Sequence, residues 1–319
     1  MHSFSRYLFP GLVAIFAVAC LYGLRGDMAL VSLAPLARSW DLVALAAACS
    51  LLNYAFRIIR WQRYLSRLGR TLPLGFTALT YVAGFAFTVS PGKVGEMARA
   101  RYYSRLGISL SDVAGAFFVE RLMDVMAMLV LAALIVAAAP RYQIATWSAG
   151  VMVVAVLVTL AILPWNSIAR TLDSQTRLPK VVAKLGVGIA QALGAARSLL
   201  SPGALLFGFL LGLAAWGLEG LGLYLLGSLF PAVHLGAATG VGIYAVAVLV
   251  GAISFLPGGL GSTEAVMTAL LTAQGFSVGD ALLVTIVCRV VTLWLAVLIG
   301  WMAIFALRNR LVPAVSSWP

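Results

Sequence analysis

The feature that most limits this chain is the recurrence of apolar runs of about twenty residues from which charge is almost excluded. They fall at roughly 8–24, 41–56, 72–90, 111–139, 144–163, 203–226, 236–256 and 279–307. A helix of about twenty residues covers the ~30 Å hydrocarbon core of a bilayer. No water reaches that core, so the backbone must satisfy its own hydrogen bonds, and the runs are predicted to be helices. Charged residues form only 10% of the 319, where soluble domains carry about 25%. With 62% hydrophobic residues and a mean hydropathy of +1.03, the chain reads as an all-α integral membrane protein, one membrane domain over 1–319.

A net charge of +12 would suit nucleic acid in a soluble protein. Here the 22 Lys and Arg sit mostly in short loops between apolar runs, where they set orientation, so no nucleic-acid partner is expected. Anionic lipid of the cytoplasmic leaflet is their natural neighbour. Cys20, Cys49 and Cys288 are scattered through apolar runs, and His2 and His234 cannot build a zinc site alone, so no metal, disulfide or cofactor is expected. Ala17-Val18-Ala19-Cys20 faintly resembles a lipoprotein cleavage site but lacks the usual Leu, and a retained first span is preferred.

Charge placement then sets the topology. If every run crossed, the cluster Arg57, Arg60, Arg63, Arg67, Arg70 and the cluster Lys93, Arg99, Arg101, Arg105 would face opposite sides, against the positive-inside tendency. The conflict disappears if 72–105 is a re-entrant hairpin broken at Ser90-Pro91-Gly92. A second hairpin, broken at Pro257-Gly258-Gly259, lies within 227–278, a stretch without Lys or Arg. The expected arrangement is about six transmembrane helices plus two re-entrant helical hairpins, with 17 basic residues cytoplasmic, 3 periplasmic and 2 inside spans. Both termini are then cytoplasmic, in a bacterial inner membrane. The loop 164–202 is a cytoplasmic linker, and its stretch 178–200 is predicted as an interfacial helix, with a plain linker as the alternative. Arg57-x-x-Arg60-Trp61 is expected to snorkel to lipid phosphates at the end of its span.

Two halves of the chain resemble each other. Gly107-Ile108-Ser109-Leu110-Ser111-Asp112 matches Gly275-Phe276-Ser277-Val278-Gly279-Asp280 at an offset of 168 residues, which also pairs Glu96 with Glu264 and Arg121 with Arg289. Upstream, Pro91-Gly92-Lys93-Val94-Gly95 matches Pro257-Gly258-Gly259-Leu260-Gly261 at an offset of 166. The repeats are read as 41–140 and 203–307. The topology above makes them inverted, an arrangement that places a transporter's binding site near the midplane, between the halves. Ser109-x-x-Asp112 and Ser277-x-x-Asp280 are predicted to cap the helices that follow.

Charges inside apolar spans are costly, roughly 2.5–3.5 kcal/mol each on insertion scales, and so mark candidate sites. Glu120, Arg121 and Asp124 lie in one such span, as a head-group or proton site or as a self-neutralising structural group. Arg289 has no acid on its own span, so its partner must be Glu264, Glu219, Asp124 or a lipid phosphate. Half-helices starting near Gly92 and Gly258 would offer N–H groups to anions, with Glu96 and Glu264 just beyond. Gly95 and Gly261 would permit close approach, or simply ease hairpin packing. Glu219, among glycines, is expected to pair with an Arg across the repeat interface.

Arg57-x-x-Arg60-Trp61, Pro91-Gly92-Lys93-Val94-Gly95-Glu96 with Arg99, Glu120-Arg121-x-x-Asp124 and Pro257-Gly258-Gly259-Leu260-Gly261-x-x-Glu264 together resemble the lysylphosphatidylglycerol synthase transmembrane-region family. That family includes the flippase half of the multiple peptide resistance factor and stand-alone relatives tied to hopanoid or polyprenyl-linked sugar pathways. The resemblance implies translocation of a membrane lipid, anionic or polyprenyl- or hopanoid-linked. It does not imply lysyl transfer, because this sequence contains no aminoacyltransferase half, and a non-enzymatic role is expected. Two alternatives stay open, an intramembrane lipid-modifying enzyme using Glu120 and Asp124 as acid and base, and a scaffold for a lipid or hopanoid synthesis complex. A homo-oligomer is also left open.

Overall fold

The computed structural model describes residues 32–136, 140–174 and 179–309, and every regular element among them is helical. The expected span 8–24 and Cys20 lie outside the described residues. The long elements of the first half are Trp40–Arg67 (α1), Leu74–Phe85 (α2), the 3-10 stretch Pro91–Arg99 and Leu110–Val136 (α3). Pro140–Ile162 (α4), Trp165–Asp173 (α5) and Lys180–Ser198 (α6) follow. The second half comprises Pro202–Gly227 (α7), Ala237–Ile253 (α8), a 3-10 turn Pro257–Gly259, Ser262–Thr272 (α9), Val278–Arg289 (α10) and Leu295–Asn309 (α11). A π-helical turn, Val290–Trp294, joins α10 to α11 directly after Arg289.

By length and composition three helices can cross a membrane, α1, α7 and the joined run Val278–Arg308. A fourth candidate is the pair Gly150–Ile162 and Trp165–Asp173, bent by 69°. With these apolar helices the chain is a multi-pass membrane protein. α3 has 27 residues, long enough to cross, but carries Asp112, Glu120, Arg121 and Asp124. α2, with 12 residues, spans only about 18 Å and is too short to cross. The chain then doubles back, for Pro91–Arg99 packs against α2.

Element order repeats between halves: long helix, short apolar helix, Pro-Gly break, return arm, long helix with an Arg inside. The packing is reciprocal. α3 of the first half lies on α8 of the second, α11 of the second lies on α2 of the first, α1 packs on α7, and the two breaks touch. The shared Gly-x-Ser-x-x-Asp motif is structural. Gly107 and Gly275 take positive φ (72° and 101°), and the Ser109 and Ser277 hydroxyls accept the Asp112 and Asp280 backbone N–H groups at 3.0 and 3.1 Å.

The linker holds more helix than expected. α5 precedes α6, and α6 packs on both α3 and α5. α6 keeps Val181, Val182, Leu185 and Ile189 exposed, an unshielded apolar face on a helix that also carries Lys180 and Lys184.

Close approach of α11 to α2 depends on Gly300, where an added Cβ would fall on the backbone of Phe85 and Ala86. Gly217 in α7 has nothing within 4 Å of the equivalent position. Gly300→Ala should therefore cost about 1–3 kcal/mol through overpacking. Gly217→Ala should be neutral or stabilising by up to about 1 kcal/mol. Thermal unfolding in detergent checks this, and equal midpoints for the two variants would contradict the packing described.

Candidate functional site

α1 carries its polar residues on the inward face. Ser50, Asn53, Arg57, Arg60 and Tyr64 alternate at intervals of three and four, one side of a helix, and all are buried. Leu45, Leu51, Leu52 and Ile59 face outward instead. The snorkelling expected of Arg57, Arg60 and Trp61 is thus corrected. Arg57 is 5% exposed and Arg60 and Trp61 are fully buried. The reason is the row of carboxylates on α3. Arg60 Nη2 donates to Asp124 Oδ1 at 2.6 Å and to Glu120 Oε1 at 3.4 Å, and partners of this kind outweigh a reach toward lipid phosphate.

Glu120 is the hub. Its Oε2 accepts from Arg99 Nη2 at 2.9 Å, and its Oε1 accepts from the Tyr81 hydroxyl, with Arg121 Nη2 at 3.3 Å and Arg57 Nε at 3.9 Å. Arg121 also meets Asp124 at 3.0 Å across one turn, the contact its spacing implied. The Arg99 guanidinium lies 3.7 Å from the Trp61 ring centroid and 4.5 Å from that of Tyr81. The group is not self-neutralising within α3. It gathers five cations (Arg57, Arg60, Lys93, Arg99, Arg121) around three carboxylates (Glu96, Glu120, Asp124).

The repeat-related pairs meet in both halves. Glu264 Oε1 accepts from Arg289 Nε at 2.6 Å, and Glu96 Oε2 lies 3.9 Å from Arg121 Nη2. Arg289 therefore finds its acid on the return arm, the first of the partners expected for it. Its Nη2 also donates to the Gly258 carbonyl at 2.7 Å, which ties the break to the span.

Two expectations change. The return arm after Pro91 is 3-10 rather than α-helical, and α9 begins at Ser262, not near Gly258. In the second half the Gly261 N–H is taken by Glu264 Oε2 at 2.6 Å, and in the first the Gly95 N–H donates to Ser90 Oγ at 2.6 Å. These N–H groups hold the breaks together instead of awaiting an anion. A Cβ on Gly95 would lie 2.6 Å from the Phe87 carbonyl, so its smallness serves hairpin packing. Glu219, expected to pair with an Arg, instead accepts from Ser50 Oγ at 3.0 Å, because α1 presents a hydroxyl where the two helices cross.

Between the halves lies a cavity of about 250 Å³. One water needs only about 10–15 Å³ on the same measure. Thr88, Ser90 and Lys93 line it from the first break, Gly258, Gly259 and Thr263 from the second. Arg57, Arg121, Asp124, Glu219 and Arg289 add charge, with Tyr54, Trp216 and Tyr244 as aromatic wall. Of the residues singled out in the sequence, Arg121, Asp124, Glu219, Gly258, Gly259 and Arg289 reach the cavity. Glu96, Arg99, Glu120 and Glu264 stand behind it as partners of the lining residues or their neighbours. Arg57, expected at the membrane surface, and Lys93, read only within a basic cluster and the repeat, also line it, as does Trp216, which the sequence did not single out. Among the described residues no group of His, Cys, Asp and Glu is arranged to hold a metal.

Fold and cavity together define a polytopic helical membrane protein with a charged chamber between two similar halves. The sequence carries the same assignment further: residues 8–300 match the family described as the lysylphosphatidylglycerol synthase TM region, and the chain belongs to that family. It is also similar to a UPF0104 membrane protein of Methanothermobacter thermautotrophicus, 27% identical over 327 residues that cover 96% of this chain and 94% of the relative.

Arg60→Met should destabilise the protein by about 3–5 kcal/mol, the usual cost of stranding a buried carboxylate. Adding Asp124→Leu should recover part of that loss. Detergent unfolding of the single and double variants reads the coupling, and additive losses would refute the pairing.

Proposed function

We propose that this protein moves a membrane lipid from one leaflet to the other, passing its head group through the chamber between the two halves. The observation that carries the reading is the cavity itself: residues at both Pro-Gly breaks and charged side chains of both halves line one space, whose wall is otherwise mostly apolar. Polar backbone and charge at membrane depth are tolerated where they line a wet path, and a head group needs such a path. Membership of the family supports a lipid-related role.

In this reading the two breaks are re-entrant hairpins that open to opposite faces, the repeats are inverted, and about six spans surround them with both termini cytoplasmic. A bacterial inner membrane is the setting. The substrate is an anionic or polyprenyl- or hopanoid-linked lipid. The enzyme alternative has less support. Glu120 is fully buried, and both its oxygens engage Tyr81, Arg60 and Arg99, so it is poorly placed to exchange protons with a substrate.

Reconstitution into liposomes with labelled lipids tests the proposal. Exchange between leaflets without covalent change is expected. A new lipid species would favour the enzyme, and neither effect across candidate lipids would favour the scaffold. Arg289→Ala should abolish exchange in a protein that still folds. Arg289→Lys should restore little, since an ammonium cannot hold both Glu264 and the Gly258 carbonyl in the same planar geometry. Unimpaired exchange by Arg289→Ala would remove this residue from the pathway.

A further inference from the structure

The cavity wall contains donors that no acceptor satisfies among the described residues. Arg57 is 5% exposed, yet among the described residues it donates no hydrogen bond, and its Nε and Nη2 are buried without a partner. Its carboxylates stand off at 3.8 and 3.9 Å, beyond hydrogen-bond length. The Trp216 Nε1–H is another orphan, on a side chain 5% exposed. The Lys93 ammonium forms no ion pair within 4.0 Å and lies 5.0 Å from the Trp216 ring centroid. Among the described residues, two buried donor groups and the partly exposed Lys93 ammonium, on residues that line one cavity, therefore lack acceptors. Native interiors satisfy such groups, so an unpaired set calls for an explanation.

The backbone of Lys93 adds an independent argument. Its φ is +57°, a left-handed conformation that costs an L-residue stability. The matching position in the second half is Gly259, with φ +67°. The repeat thus builds the same turn twice, once with the residue suited to it and once with a lysine held there under strain. Strain of this kind persists where the side chain has a task. The charge count points the same way. Five cations face three carboxylates, and counting Glu219 as a fourth still leaves the chamber positive, because Arg289 and Glu264 cancel.

We propose that Arg57, Lys93 and Trp216, with Arg121 beside them, form a recognition site for a phosphate group that carries no compensating cation of its own. This deepens the transport reading and rests on it only for the identity of the carrier. The ligand class is an anionic phosphoryl head group, a monoester or diester, rather than an aminoacylated, positively charged one. Arg57 supplies a planar fork for two oxygens, Lys93 a point charge, and the indole N–H a further donor.

Competition binding on the full-length protein in detergent, read by native mass spectrometry, tests the site. Phosphatidic acid and phosphatidylglycerol should be retained about tenfold or more over phosphatidylcholine and lysyl-phosphatidylglycerol, as expected for charge-assisted hydrogen bonds. Inorganic phosphate separates the sources. Competition by it means that the free ion suffices, while its failure beside bound phosphatidic acid assigns the site to a lipid head group. Lys93→Gln should lose the preference and Lys93→Arg should keep much of it. Lys93→Gly should also lose it, with an unfolding midpoint at or above wild type, because glycine relieves the turn. Equal retention of phosphatidic acid and phosphatidylcholine by the wild type overturns the proposal, as does an undiminished preference in Lys93→Gln. Should the variants not fold, the wild-type competition decides alone. Failure of leaflet exchange with the preference intact would sink the transport reading and leave the site standing.

Discussion

Glu120 joins four segments of the first half through one carboxylate. Tyr81 comes from α2, Arg99 from the return arm, Arg57 and Arg60 from α1, and Arg121 from its own helix. In a bilayer no solvent competes for these groups, and an ionised side chain left alone is expensive. The contacts around Glu120 are therefore what allows α1 and α3 to carry charge at all. They also fix where the 3-10 arm docks, since Arg99 is buried only by lying between Glu120 and the faces of Trp61 and Tyr81. Apolar packing surrounds this core but does not choose its register. Ion pairs and stacked rings have directional needs that leucine does not have.

The halves share a skeleton and differ in chemistry. In the second, Arg289 and Glu264 form a close pair at 2.6 Å, and the neighbouring wall is mostly small or apolar. In the first, the equivalent Arg121 and Glu96 stand 3.9 Å apart, because each also belongs to the wider network. The extra cations, Arg57 and Arg60, have no counterparts on α7, the matching helix of the second half, which carries no Lys or Arg. One half thus works as a braced frame. The other uses the same frame to hold an excess of positive charge at the shared cavity.

Much of the fold was legible from the residues. Among the described residues the apolar runs form helices, the Pro-Gly pairs interrupt them, and the Gly-x-Ser-x-x-Asp turns cap the helices that follow, all by local rules. The repeat offset made Glu96 the equivalent of Glu264 and Arg121 that of Arg289, and Glu264 stood among four partners open to Arg289; the contact of Glu96 with Arg121 was not foreseen. What the reading missed was the direction of α1. Its polar residues at 50, 53, 57, 60 and 64 already traced one face, but their nearness to the end of an apolar run suggested a membrane surface. A membrane helix that points polar groups inward and leucines outward looks like the end of a span until the carboxylates of another helix are placed beside it. Lys93 was hidden for a similar reason. Counted as one of a cytoplasmic basic cluster, it gave no sign of its left-handed turn. Only its alignment with Gly259 hinted at one. Glu219 was assigned the wrong partner because a serine one helix away carries no charge signal.

A site built only of cations would hold a phosphate too tightly to let it leave. Here the two nitrogens of Arg57 that lack hydrogen bonds, Nη2 and Nε, face Glu96 and Glu120 at 3.8 and 3.9 Å, and both acids are fully buried. A phosphate seated at Arg57 shares that guanidinium with two acids that reclaim it when the ligand departs. Lys93 and Trp216 make no ion pair or side-chain hydrogen bond among the described residues, so they would add attraction in a form that a single contact can break. On the proposed reading the cavity would be positive enough to draw an anion out of water and partitioned enough to release it. The proposed carrier would need both properties, and a wall in which Arg57, Lys93 and Arg121 stand among Asp124, Glu96 and Glu120 would supply them.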